Sequence, residues 1–200
     1  MYHMKICKVT YRLCAFILFS VLLVPHLNGQ ELTAPTSSWA VKSNLLYDAT
    51  TSLNLGAEFK VGQRLTVDIP LSYNPFSFGD NKKWKHILLQ PELRWWVKEP
   101  FAGHFFGLHA HYAYYNVGGI GTRWMKDNRF EGWLVGAGLA YGYQFFLGRH
   151  WNLELSIGAG YAYLDYKRYS CKTCGDFKGN ENKHYIGPTK AAVTLVYVIK

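Results

Sequence analysis

From about residue 38 to the end of the chain, apolar residues recur at every second position, and this alternation constrains the fold more than any other feature. Leu53, Leu55, Ala57, Phe59 and Val61 alternate with Asn54, Gly56, Glu58 and Lys60. Leu65, Val67, Ile69, Leu71 and Tyr73 alternate with Thr66, Asp68, Pro70 and Ser72. A period of two belongs to β-strands whose two faces meet different surroundings. The same pattern predicts strands over 38–49, 86–97, 106–114, 133–145 and 151–163, with a last one carrying Val193, Leu195, Tyr197 and Ile199. No helical period competes over any long window. The expectation is an all-β chain of eight antiparallel strands.

The connections alternate in length. They are short at 62–63, 98–103 and 148–150, and long at 74–83, 116–132 and 167–184. Short turns at one end and long loops at the other are the habit of outer-membrane barrels. Strands of ten or so residues also suit a tilted span, which needs ~9–11. A soluble barrel with its apolar residues inside is the competing arrangement. The second face of two strands separates them: Gly136, Gly138, Ala140 and Gly142, then Gly158, Gly160 and Ala162. Glycine is a poor choice for a solvated strand face and fits the crowded inside of a narrow barrel. The apolar face carries Trp39, Tyr47, Trp133, Trp151 and Tyr163 near strand ends, as interfacial girdles do. The sequence therefore predicts an eight-stranded, antiparallel, up-and-down transmembrane β-barrel over residues 38–200.

The first thirty residues read as a cleaved signal peptide. Lys5, Lys8 and Arg12 form a positive segment, and Leu13 to Val24 is an apolar run too short to span a membrane as a helix. Residues 31–37 form a polar leader. The whole chain carries a net charge of +9; its first thirty residues hold three basic and no acidic groups, so the remainder carries +6. Charged residues are only 18% of the chain and aromatic residues 17%, which excludes a disordered tail or a coiled coil. The implied location is the outer membrane of a Gram-negative bacterium.

Three segments carry a family resemblance: Trp39-Ala-Val-Lys-Ser-Asn-Leu-Leu-Tyr-Asp48, Leu89-Gln-Pro-Glu-Leu-Arg-Trp-Trp96, and the tail from Gly187 to Lys200. Together they resemble a Bacteroides-type family of small outer-membrane barrels of unknown function. The resemblance covers about residues 38–200. It implies the barrel fold, and it implies a cell-envelope accessory role, because members neighbour genes for fimbrial or other surface proteins.

Inside such a barrel the inward face would collect Lys42, Asp48, Glu58, Asp68, His86, Glu92, Arg94, His109, His111 and Glu154. In a wide pore these would set selectivity. Eight strands leave an interior that side chains can fill, so a lumen network of paired charges is expected. His109 and His111 share a strand face and, with Glu92, are also the candidates for a metal site or an acid–base pair. Ser72 and Ser156 face the same way, but no nucleophile motif is present. Cys171-Lys-Thr-Cys174 in the longest loop reads as a local disulfide in an exported protein, with half a zinc site or a redox pair as alternatives.

The outer loops are basic through Lys82, Lys83, Arg123, Lys126, Arg129, Lys167, Arg168, Lys172, Lys178 and Lys183. Their expected partners are outer-membrane lipid, the anionic head groups of lipopolysaccharide, and surface or fimbrial proteins, rather than nucleic acid. No cofactor is expected, and the chain reads as a monomer. The functional expectation is a non-enzymatic barrel protein serving fimbriae, adhesion or envelope integrity. The alternative is a small outer-membrane enzyme acting on lipid A or phospholipid.

Overall fold

The computed structural model describes residues 38–78, 82–119, 128–170 and 175–199. The segments expected as signal peptide and leader, 1–37, lie outside the described residues, as do Cys171, Cys174, Arg123, Lys126 and Lys172. The strands are β1 (Trp39–Asn44), β2 (Leu53–Lys60), β3 (Leu65–Asn74), β4 (Ser77–Phe78) and β5 (Lys82–Leu89). They continue with β6 (Glu92–Trp96), β7 (Gly103–Gly118), β8 (Asn128–Phe146), β9 (Trp151–Ser170) and β10 (Asp176–Ile199). One helical turn, α1 (Leu45–Ala49), follows β1.

These strands form one antiparallel sheet that closes on itself. β1 pairs with β2, β2 with β3, and β3 with both β5 and β6. β5 and β6 both pair with β7, the order continues through β8 and β9 to β10, and β10 returns to β1. Counting β5 and β6 as one interrupted strand, and with β4 a short appendage on β5, this is a ring of eight.

Three boundaries differ from the alternation. The strand expected over 38–49 stops at Asn44, whose side chain accepts a hydrogen bond from the Leu46 amide at 3.1 Å and caps α1. Asn is a preferred cap because its short side chain satisfies an amide left free in the first helical turn. The strand expected over 86–97 breaks at Gln90-Pro91, where proline has no N–H to give the ladder. The segments expected as long loops are largely strand: β7 runs on to Gly118, β8 starts at Asn128, β9 reaches Ser170 and β10 starts at Asp176. Those extensions mix charged and polar residues with scattered aromatics such as Phe130 and Tyr166, so they carry no regular apolar period to read. Polar pairs hold them instead, including Tyr114 to Glu131 at 2.9 Å and Arg168 to Glu181 at 3.2 Å.

Burial is inverted relative to a soluble sheet. The apolar set points out of the ring, with Leu139 69% and Ile157 68% exposed. Outward aromatics cluster around the end with the short turns: Trp39 stacks on Phe59 at 6.5 Å, Trp95 on Phe106 at 6.1 Å, and Trp151 meets Tyr197 at 4.9 Å. The inward face is polar or small. Inside the short-turn end lies a plug of Ala40, Trp96, Phe101, Phe105, Val196 and Val198. Phe101 adopts φ +66°, rare for a bulky residue, and the turn thereby folds its ring under Trp96 at 6.2 Å. The Phe101 carbonyl accepts a hydrogen bond from Asn152 at 3.1 Å, which fastens that turn to β9.

Glycine decides how closely β8 and β9 approach the interior side chains. A Cβ at Gly138 would lie 2.5 Å from the Ala159 carbonyl oxygen and 2.8 Å from His109 Nε2. Gly138→Val is therefore expected to lower the denaturant midpoint by the equivalent of about 1–3 kcal/mol. Ala137→Val, on the exposed face, should stay within about 0.5 kcal/mol. Equal midpoints for the two variants would contradict the assignment of inner and outer faces.

Candidate functional site

Above the apolar plug, the ring encloses a cluster of charges. Arg94 on β6 is 1% exposed and reaches four carboxylates. Its Nε donates to Glu92 at 2.7 Å, Nη1 to Glu58 and to Glu154 at 2.8 Å each, and Nη2 pairs with Asp68 at 2.6 Å. Lys42 on β1 donates to Glu154 at 2.6 Å, Glu58 at 2.8 Å and Asp68 at 3.3 Å. Lys190 on β10 donates to Glu92 at 2.7 Å. Three cations thus meet four carboxylates contributed by strands around the ring. The guanidinium suits the centre because its planar fork offers five donors that match several carboxylates at once.

The cluster is joined to its surroundings by neutral groups. Thr66 donates to Glu58 at 2.5 Å and accepts from the Trp96 indole at 2.8 Å. Arg94 also lies 4.5 Å above the Phe105 ring, which links the charges to the plug. On the other side, His109 Nε2 and the Thr189 hydroxyl are 2.9 Å apart, and Gln90 donates to the Thr189 carbonyl at 3.1 Å. His111 stands beside His109 with ring centroids 5.7 Å apart. Beyond this layer the interior opens into a cavity of about 420 Å³ bordered by Trp84, Tyr115, Leu134, Leu164 and Tyr185.

The structure brings together six of the residues expected in the lumen: Lys42, Glu58, Asp68, Glu92, Arg94 and Glu154, with His109 at the cluster's edge, 3.7 Å from Glu92. It places Asp48 elsewhere. That residue lies on α1, exposed, and accepts from Ser43 at 2.9 Å and Asn54 at 2.8 Å. The strand ends before it, so the alternation no longer applies. His86 also stands apart from the charges, 3.3 Å from the Ser72 hydroxyl and beside Tyr47 and Trp84. Lys190 was not singled out in the sequence. It lies opposite inward Gly158 and shares the face of Ala192, Thr194 and Val196, so the alternation of β10 carried back from Val193 also turns it inward.

The basic residues expected in outer loops sit mostly on strands: Lys82 and Lys83 on β5, Arg129 on β8, Lys167 and Arg168 on β9, and Lys178 and Lys183 on β10. Arg129 pairs with Glu131 at 2.5 Å and donates to Asn116 at 2.8 Å. Among the described residues, no three His, Cys, Asp or Glu side chains are arranged to hold a metal ion.

Fold and site together define a class: an all-β protein whose antiparallel strands ring a buried ionic cluster, with apolar side chains facing out. The chain belongs to the family described as protein of unknown function (DUF3575), whose model matches residues 15–199. Comparison with curated proteins and with solved structures gives no match.

Removing one partner from a buried ionic cluster leaves uncompensated charge, which costs about 3–5 kcal/mol. Arg94→Met is expected to destabilise the ring by that order, read from denaturant midpoints. Arg129→Met, in a partly exposed pair, should cost no more than about 1 kcal/mol.

Proposed function

We propose that this protein is a non-enzymatic outer-membrane β-barrel that serves as a cell-envelope accessory, with its interior closed by the ionic cluster. The observation that carries this reading is the inverted burial: exposed Leu, Ile, Val and aromatic side chains outside, and paired charges inside. Water is a poor solvent for so continuous an apolar surface, whereas lipid is a good one. Around most of the ring backbone groups pair strand to strand, as a lipid-embedded sheet favours, while among the described residues β10 from Asp176 to Val193 is paired by a strand on one side only.

Dimensions support the same reading. On β8, Tyr143 near the short turns and Trp133 near the other end are ten residues apart, with Leu139, Ala137 and Val135 between them on the same face. Ten residues rise about 34 Å along a strand, or ~25 Å at a tilt of ~40°, the height of a lipid-facing apolar band. β8, β9 and β10 have 19, 20 and 24 residues. That exceeds the ~9–11 needed to cross, so these strands continue beyond the bilayer. Their projecting ends carry Lys167, Arg168, Lys178 and Lys183, an electrostatic fit to lipopolysaccharide head groups or to an acidic surface protein such as a fimbrial component.

A second reading, an enzyme acting on lipid A or phospholipid, draws on the Ser72–His86 contact at 3.3 Å. Among the described residues no carboxylate is hydrogen-bonded to His86, so the pair lacks the group that orients and stabilises a catalytic imidazolium. A fluorophosphonate probe separates the two readings. No labelling of Ser72 is expected; full labelling abolished by Ser72→Ala would favour the enzyme.

Envelope fractionation tests the main reading. The protein is expected in the outer-membrane fraction, with an unboiled band that migrates differently from the boiled one. Recovery in the soluble periplasm with no shift would contradict it.

A further inference from the structure

Among the described residues, the cavity above the ionic cluster is lined by no Lys, Arg, Asp or Glu side chain. Its walls are mostly aromatic and aliphatic, with Leu134 and Leu164 cross-strand partners on β8 and β9 and Tyr115 and Trp84 on β7 and β5; His86, which also lines it, has its Nε2 against the Ser72 hydroxyl. At about 420 Å³ it falls within the ~300–1,000 Å³ of small-molecule sites. Water held in such a space would find few partners on the walls, so an apolar occupant gains by displacing it.

The floor is different. It is built from Gln90, Thr189 and His111. Gln90 and Thr189 already bond to each other and Thr189 to His109. His111 does not share in this: it is 5% exposed, and its Nδ1 has no hydrogen-bond partner among the described residues. A buried polar atom left unpaired costs about 1–3 kcal/mol. The ring packs against Gly136, where an added Cβ would collide with its Nε2. An apolar chamber bordered by an imidazole with an unpaired nitrogen is the complement of a hydrocarbon chain that ends in one hydrogen-bonding group.

The wall beside the chamber also offers a way in. β1 turns off into α1 at Asn44, so its ladder with β10 covers only Thr194–Ile199. Among the described residues, β10 from Asp176 to Val193 pairs with β9 on one side and has no strand partner on the other. The bulge at 188–190 lies in this stretch, and both Pro188 and Thr189 border the cavity. Proline cannot donate to a neighbouring strand, which keeps that edge from being closed by pairing.

We propose that this cavity binds a single hydrocarbon chain carrying an uncharged hydrogen-bonding head, with His111 holding the head and the chain lying against Leu134 and Leu164. The head is uncharged because the floor rests on a cluster with one more carboxylate than cations, which repels an anion, while the walls supply no counter-charge to either sign. The chain arrives as a free amphiphile or as one tail of a membrane lipid; both present the same chemistry to the chamber.

Photolabelling tests this on the full mature chain refolded into phospholipid vesicles. Three probes carry the same diazirine in the chain: decanol, decanoate and a phosphatidylcholine. Residue-resolved mass spectrometry reads where each attaches. Decanol, the phospholipid or both are expected to label Leu134, Leu164 or Tyr115, and decanoate to label them at least fivefold less than decanol. Labelling by decanol alone identifies a free amphiphile, and labelling by the phospholipid a lipid tail. Leu134→Trp, which fills the chamber from a partly exposed position, should cut interior labelling at least fivefold and leave outward Leu139 unchanged. His111→Leu should remove the preference for decanol over decanoate. Label confined to Leu139 and Ile157, or interior label untouched by Leu134→Trp, would overturn the proposal. Each variant is checked for the boiling-dependent gel shift, with Leu164→Trp replacing any that loses it. Wild-type chain that fails to insert speaks against the membrane reading; wild-type chain that inserts and takes no interior label speaks against the chamber.

Discussion

Arg94 is the group on which the interior depends. It is buried with four carboxylates in reach, and Lys42 and Lys190 offset two of the three negative charges it leaves over. Desolvating so many charges is unfavourable by itself and is tolerated only with close to complete pairing. That requirement reaches far through the sheet, because the partners come from β1, β2, β3, β6, β9 and β10. A slip of any one of these strands by a residue removes its own contacts from the cluster, since it turns that strand's side chains to the opposite face. The cluster therefore specifies register around the ring, and the ring in turn excludes the water that would otherwise weaken the cluster.

The order of strands was legible in the sequence because each strand has one apolar and one small or polar face, and a period of two is hard to mistake. Its limits show where that cue fails. Asn44 ends β1 by capping a helical turn, a local hydrogen bond that overrides alternation and takes Asp48 out of the interior. The ends of β9 and β10 over 167–170 and 176–184 are rich in charged and polar residues, so they read as basic loops although they are strands. In the site, six charged lumen residues could be placed by face alone. Lys190 could be placed the same way, on the face it shares with Ala192 and Thr194. Phe101 could not: nothing in a short turn announces that it folds a ring inward through a positive φ.

The parts fit one physical scheme. An apolar exterior asks for an interior made of what remains, and here that is glycine, charge and a few aromatics. The short-turn end is sealed by the Trp96–Phe105 pair at 4.9 Å, the middle holds the paired charges beside a cavity of about 330 Å³, and the far end keeps an apolar chamber over an unsatisfied His111.

The central claim is that the outward apolar face meets lipid, and a charge placed on that face tests it most directly. Leu139→Arg and Ile157→Arg sit between the two aromatic ends of the ring. Folding free energies of both variants, measured in phospholipid vesicles, are predicted to fall by about 2–4 kcal/mol, the cost of Arg near a bilayer midplane. Values within about 0.5 kcal/mol of the parent chain, as for an ordinary exposed position in water, would contradict the account.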